Sequence, residues 1–177
     1  MRGGFSYLGR HASLTPPIII EGGAEHMWIG DGSVVGAHCR LSVLGGDAAP
    51  GEIRIRIGAR VSFGGSCFLS ARQSIEIGDG VMIARGVYVS DHNHGYADPS
   101  RFIRDQGIES VDRVRIGAGA WVGENAVLLP GTDLGQGAVV GANSVVGGVI
   151  PPFSLSVGVP GRLLKSWAPR DSAGESR

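Results

Sequence analysis

The sequence predicts an all-β solenoid, a stack of coils built from very short strands. Three observations carry that prediction. Apolar residues recur every six positions, 31 of the 177 residues are glycine, and neither a 3.6-residue helical period nor long even alternation is present. A six-residue unit fits a short strand, a corner and the next short strand. Each unit cannot bury its apolar face alone, so coils must stack.

The period is clearest from residue 116 onward. Ile116, Val122, Leu128, Leu134, Val140 and Val146 are six apart. Glycine follows at 117, 123, 135 and 141, and a small residue stands four places after each apolar one up to Ser144. The apolar residue is expected inside. Glycine permits a corner or a close approach, and the small residue fits the next bend.

Upstream the same unit returns in other phases: Ile29, Val35, Leu41; then Ile57, Phe63, Leu69; then Ile77, Ile83, Val89. The phase slips three times. Leu41 to Ile57 leaves room for an outward loop around GGDAAPGEIR, and Leu69 to Ile77 for a two-residue bulge. Val89 to Ile116 contains DHNHGYADPS, where two histidines and two aspartates stand together. Residues 1–28 are expected to cap the open end of the stack. Residues 92–113 are expected to form a protruding loop, residues up to 168 a single domain, and 169–177 a flexible tail. After the last coil a short C-terminal helix is expected, in which the spacing of Arg162 and Lys165 would put both on one face.

Sixteen basic and sixteen acidic residues cancel, which leaves no field suited to nucleic acid or an anionic membrane. No apolar run is long enough to span a bilayer, and the N-terminal residues lack the apolar core of a signal peptide, so a cytoplasmic location is expected. Cys39 and Cys67 form no disulfide or metal framework and are expected as small buried fillers. His11, His26 and His38 fall outside any cluster and are expected to be structural.

The stretches IGDGVMIARGVYVS, VRIGAGAWVGENAVLLPGTDLGQGAVVGANSVV and IPPFSLSVGVPGRLL together resemble the hexapeptide-repeat acyltransferases. The SDHNHGYADPS…Q segment is similar to their maltose/galactoside-type and surface-polysaccharide O-acetyltransferase subgroup. The resemblance implies a left-handed parallel β-helix, a homotrimer with active sites between subunits, and acetyl-CoA as co-substrate with no metal. It implies acetyl transfer to a hydroxyl of a saccharide or polysaccharide precursor, by direct attack in a ternary complex.

By that resemblance His92 is the general base. Its type suits the task, because imidazole titrates near neutrality and a placed base contributes roughly 10²–10⁴-fold. Counted from Val89, His92 falls at a hexad position facing outward near a corner, and Asn93 at an inward one; a plain solvated histidine is the alternative. Asp91 and His94 are expected at the acceptor, although Asp91 could equally orient His92 or cap a turn. Tyr96 and Phe102 are expected to pack the loop down rather than stack on a sugar, and Gln106 and Glu109 stay open as acceptor contacts. The resemblance places an oxyanion-binding backbone N–H at Glu124, from an adjacent subunit. It places donor contacts at Trp121, Gly123, Ala142, Arg162 and Lys165. Gly147 and Gly148 stand where the family commonly has Thr-Lys, which removes one charge near the nucleotide. Trp167 is expected to pack the tail onto the coils. Three other readings stay open: an N-acyltransferase of the same fold, a carbonic anhydrase-like zinc enzyme using His92 and His94, and a non-catalytic solenoid.

Overall fold

The computed structural model describes residues 4–45 and 47–167. The expected tail at 169–177 lies outside the described residues. The chain winds as a left-handed β-helix. Its coils have three walls, each a parallel sheet, here named A, B and C in the order the chain meets them. Among the described residues sheet A has seven strands, from Tyr7–Leu8 to Val149–Ile150, and sheet C has six, from Ile19–Glu21 to Val145–Val146. Sheet B runs from Ser13–Leu14 to Ser154–Val157 and gains a last antiparallel strand, Arg162–Ser166.

The six-residue period becomes three interior columns. Ile29, Ile57, Ile77, Ile116 and Leu134 stack inside sheet A. Val35, Phe63, Ile83, Val122 and Val140 stack inside sheet B, and Leu41, Leu69, Val89, Leu128 and Val146 inside sheet C. Each such side chain removed from water contributes about 1.5–3 kcal/mol. The glycine after the apolar residue serves close approach between coils. A Cβ on Gly117 would lie 2.5 Å from Gln136 N, and one on Gly123 the same distance from Ala142 N. Left-handed corners instead use other residues, including His11 and His38 at φ 59° and 63°, and Asn125 and Asn143 at 55°.

The segment expected as an N-terminal cap forms a coil of its own, with Tyr7–Leu8, Ser13–Leu14 and Ile19–Glu21 pairing onto the next rung in sheets A, B and C. The expected C-terminal helix is corrected. Gly158, at φ 98°, and the following turn reverse the chain, and Arg162–Ser166 pairs with the last rung of sheet B, satisfying backbone groups that would otherwise face no coil. Arg162 and Lys165 still share a face, for a different reason. The ladder opposes Val157 to Arg162 and Leu155 to Lys165, with an irregularity between that absorbs one residue.

The three outer walls differ in character. Sheet A presents Trp28, Arg56, Glu76, Arg115 and Asp133, opposed rung on rung. Sheet B presents Val34, Met82, Trp121 and Val139, and sheet C presents Ile19, Phe68, Tyr88 and Val127. Val34, Met82, Trp121, Ile19 and Tyr88 are all exposed.

Candidate active site

Both long phase slips fall at the corner from sheet C to sheet A. There residues 44–45, 47–54 and 91–113 leave the stack. The first loop is organised by Arg54, 5% exposed, which donates to the Leu44 carbonyl, Asp47 and Glu52. Asp47 also takes both terminal nitrogens of Arg72, at 2.6 and 2.7 Å, and that guanidinium holds its carboxyl down at about 2. In the second loop Asn93–His94 pairs antiparallel with Ile108–Glu109. The Gln106 amide bridges Asp98 and Arg101, so it is committed to the loop. Tyr96 and Phe102 are 73% and 79% exposed, which corrects the expectation that they pack the loop down.

Asp91 anchors the departure. It is fully buried, and its carboxylate accepts the backbone N–H groups of Arg72, Gln73 and Ser74, each at 2.7 Å. These three residues lie in the stretch of the previous coil, between Leu69 and Ile77, that holds two residues more than the repeat. Asp91 Oδ1 also lies 2.8 Å from Nδ1 of His92. A carboxylate so enclosed offers no face to an acceptor, so the expected acceptor contact by Asp91 is corrected to a structural and orienting one. His92 is 8% exposed, and Asn93 is exposed. The hexad count gave the reverse for both, because that count stops at the turn Asp91 makes. Since Asp91 can only accept, Nδ1 carries the proton. Nε2 has no hydrogen-bond partner among the described residues.

His92 opens on a cavity of about 320 Å³ against the outer wall of sheet C, with Arg40, Phe68, Tyr88 and His94 among its lining. His94 is exposed at its rim. Phe68, Tyr88 and Arg40 were not legible as site residues, although each stands one position before a core residue of sheet C, which marks it as outward.

On sheet B, Trp121, Val139, Leu155 and Lys165 form one column and, with Trp167, line a shallow slot of about 360 Å³. Trp121 and Trp167 are 49% and 40% exposed, and Trp167 lies at the slot beside the outer wall of sheet B. At the corner from sheet B to sheet C, Glu124 and Ala142 are exposed one coil apart and Gly123 is buried between coils. The Glu124 carbonyl accepts Asn143 N–H at 2.8 Å, while its own N–H meets no described acceptor. Arg162 is exposed at the far end of the last strand. Within one chain the two cavities share no residue: His92 and Trp121 lie on different walls. Among the described residues no three His, Cys, Asp or Glu side chains converge as a metal cluster, and no helix is long and apolar enough to cross a membrane.

Family models match two stretches: the bacterial transferase hexapeptide (six repeats) at residues 113–148, and the hexapeptide repeat of succinyl-transferase at 54–91. The Mycobacterium tuberculosis protein Rv3034c, named as an acetyltransferase, is 33% identical over 165 residues, covering 92% of this chain and 50% of its own length. Escherichia coli WbbJ, whose name assigns it to lipopolysaccharide biosynthesis as an O-acetyl transferase, is 40% identical over 105 residues, or 56% of this chain and 54% of its own. The chain thus spans about half the length of these curated relatives. Among solved structures, a maltose O-acetyltransferase from Clostridium difficile superposes with TM-score 0.62 at 26% identity, covering 95% of this chain and 73% of that one. AntD, an N-acyltransferase from Bacillus cereus, shares the fold at TM-score 0.80 and 20% identity, covering 95% of this chain and 87% of its own. With its columns six residues apart and two stretches matched by repeat models, the chain belongs to the hexapeptide-repeat transferase family.

Proposed function

We propose that this protein transfers an acetyl group from acetyl-CoA to a hydroxyl of a saccharide or polysaccharide precursor, with His92 as general base. The observation that carries the reading is the free Nε2 of His92, set by the buried Asp91 and facing a cavity. Relatives named as acetyltransferases and O-acetyltransferases support the same chemistry.

Nε2 takes the acceptor's hydroxyl proton as its oxygen attacks the thioester carbonyl. The tetrahedral oxyanion is held by the Glu124 N–H. Collapse breaks the C–S bond, and the imidazolium returns its proton to the departing CoA sulfur. Asp91 keeps the ring in the productive tautomer and stabilises the transient imidazolium. The donor lies along the sheet B column. Its pantetheine arm runs against Trp121, Gly123 and the Ala142 backbone, and its phosphates lie near Lys165 and Arg162. The apolar-then-basic order of that column suits an acyl thioester tethered to a nucleotide. Gly147 and Gly148 supply no charge there.

His92 and Trp121 must meet across two copies of the chain. The outer walls favour this: sheet A carries a ladder of charges, whereas sheets B and C expose mostly apolar side chains, Arg40 being paired with Glu21. Contact of wall C with wall B of the next copy is heterologous, and such contacts close into a ring when the rotation permits. A three-walled coil presenting two adhesive faces closes as a trimer. A cytoplasmic location follows from the donor.

The test is release of free CoA thiol from acetyl-CoA in the presence of a saccharide panel, with sedimentation to count subunits. His92→Ala is expected to lower kcat about 10²-fold or more while the oligomer persists. Full activity of His92→Ala, or an active monomer, would overturn the reading.

A further inference from the structure

Sheet C carries a second outward row that proton transfer leaves unused. Ser42, Ser70 and Ser90 oppose one another rung on rung, two positions beyond Arg40, Phe68 and Tyr88. All three are almost fully buried, at 3%, 4% and 3% exposure. Ser90 is accounted for, since its hydroxyl donates to the His92 carbonyl at 2.8 Å. Ser42 and Ser70 are not. Their hydroxyls make no hydrogen bond to the described residues and are not sealed inside the protein, and both residues line the cavity on which His92 opens. Neither hydroxyl is spent on the protein and both residues line the cavity, so the pair is available to a ligand with matching groups. Neighbouring rungs stand about 4.8 Å apart, so the two hydroxyls can address different atoms of one small ring.

The rest of the cavity narrows the choice. Phe68 and Tyr88, with ring centroids 5.3 Å apart, give it an apolar side. Arg40 is its guanidinium, and Glu21 takes that group with two hydrogen bonds at 2.8 and 2.7 Å, so no unpaired guanidinium faces an anion. A volume of about 320 Å³ is at the small end for ligand sites. Hydroxyl partners beside an aromatic side, in a small space with its arginine already neutralised, describe one uncharged sugar ring.

The geometry points to an acceptor subsite on the rungs of sheet C: Ser42 and Ser70 bind two hydroxyls of a neutral pyranose, its C–H face lies against Tyr88, and a further hydroxyl reaches Nε2 of His92. This rests on the acyl-transfer reading and moves acceptor recognition from the protruding loop to the coil wall, with His94 at the rim. Ser42 and Ser70 become specificity-determining residues.

The experiment is saturation-transfer NMR on the full chain with methyl α-D-glucopyranoside, methyl β-D-galactopyranoside and methyl α-D-mannopyranoside, and methyl β-D-glucuronide as the charged comparison. At least one neutral glycoside should receive saturation, and the glucuronide less. Ser42→Ala and Ser70→Ala, which remove one oxygen each and leave the coils packed, should each weaken that binding about tenfold. Acetyl-CoA affinity, measured by calorimetry on the same variants, should not change. Binding of none of the three neutral sugars, equal binding by wild type and both serine variants, or loss of acetyl-CoA affinity instead would overturn the assignment. Failure of the acyl-transfer reading shows separately, as wild-type protein that binds sugar but not acetyl-CoA.

Discussion

Residues 114–146 and residues 91–113 are adjacent in sequence and follow opposite rules. In the first stretch every position has a counterpart one coil away. Val122 sits between Ile83 and Val140, and Gly123 is glycine because Ala142 N lies where its side chain would be. In the second, the residues that matter have no counterpart. Asp91 binds three backbone N–H groups at the corner of the preceding coil and one imidazole. The repeat makes a rigid wall by interchangeable contacts. The interruption makes a site by contacts that each occur once. Substitutions in the wall should therefore act on folding, and substitutions at the interruption on chemistry.

The largest effect expected on this contrast is Val122→Asp. It puts a charge in a column with no polar partner, and a loss of about 4 kcal/mol or more should unfold the coils, read as lost β-sheet circular dichroism at 25 °C. Asp91→Asn tests whether the interruption is purely chemical. An amide nitrogen must face either an N–H donor or the imidazole, so kcat should fall about 10²-fold with a smaller change in KM, at a stability cost of about 1–3 kcal/mol by chemical denaturation. A fall in stability with kcat unchanged would make Asp91 part of the wall. Trp121→Ala belongs to the wall by position but faces outward. It should leave the melting temperature nearly unchanged and raise KM for acetyl-CoA about tenfold in steady-state kinetics. His94→Ala, at the rim, should change kcat less than about threefold.

The same contrast explains what was legible in the sequence. The columns were, because a period reports on a rule applied many times. The outward position of Trp121 followed from its place before Val122. The position of His92 did not, because counting forward from Val89 assumes the coil continues and Asp91 ends it. The strand at Arg162–Ser166 was also missed. Five residues of mixed polarity fit a helix as well as a strand, and the partner that decides between them is the last rung, distant in the hexad count. Ser42 and Ser70 were hidden for another reason. Serine is common at outward positions, and only the fold shows that these two line the same cavity as His92.

The reversed strand at Arg162–Ser166 has a consequence for how the molecule behaves in bulk. A stack of parallel rungs is a growing end, and an uncovered last coil invites another molecule to add its first coil in continuation, toward a fibre. The antiparallel strand blocks that growth on wall B, and it carries Lys165 of the slot beside Trp121 together with Arg162, both proposed as donor contacts. A chain cut short before Arg162 is therefore expected to lose its defence against end-to-end addition and, on the proposed donor site, contacts to the nucleotide together.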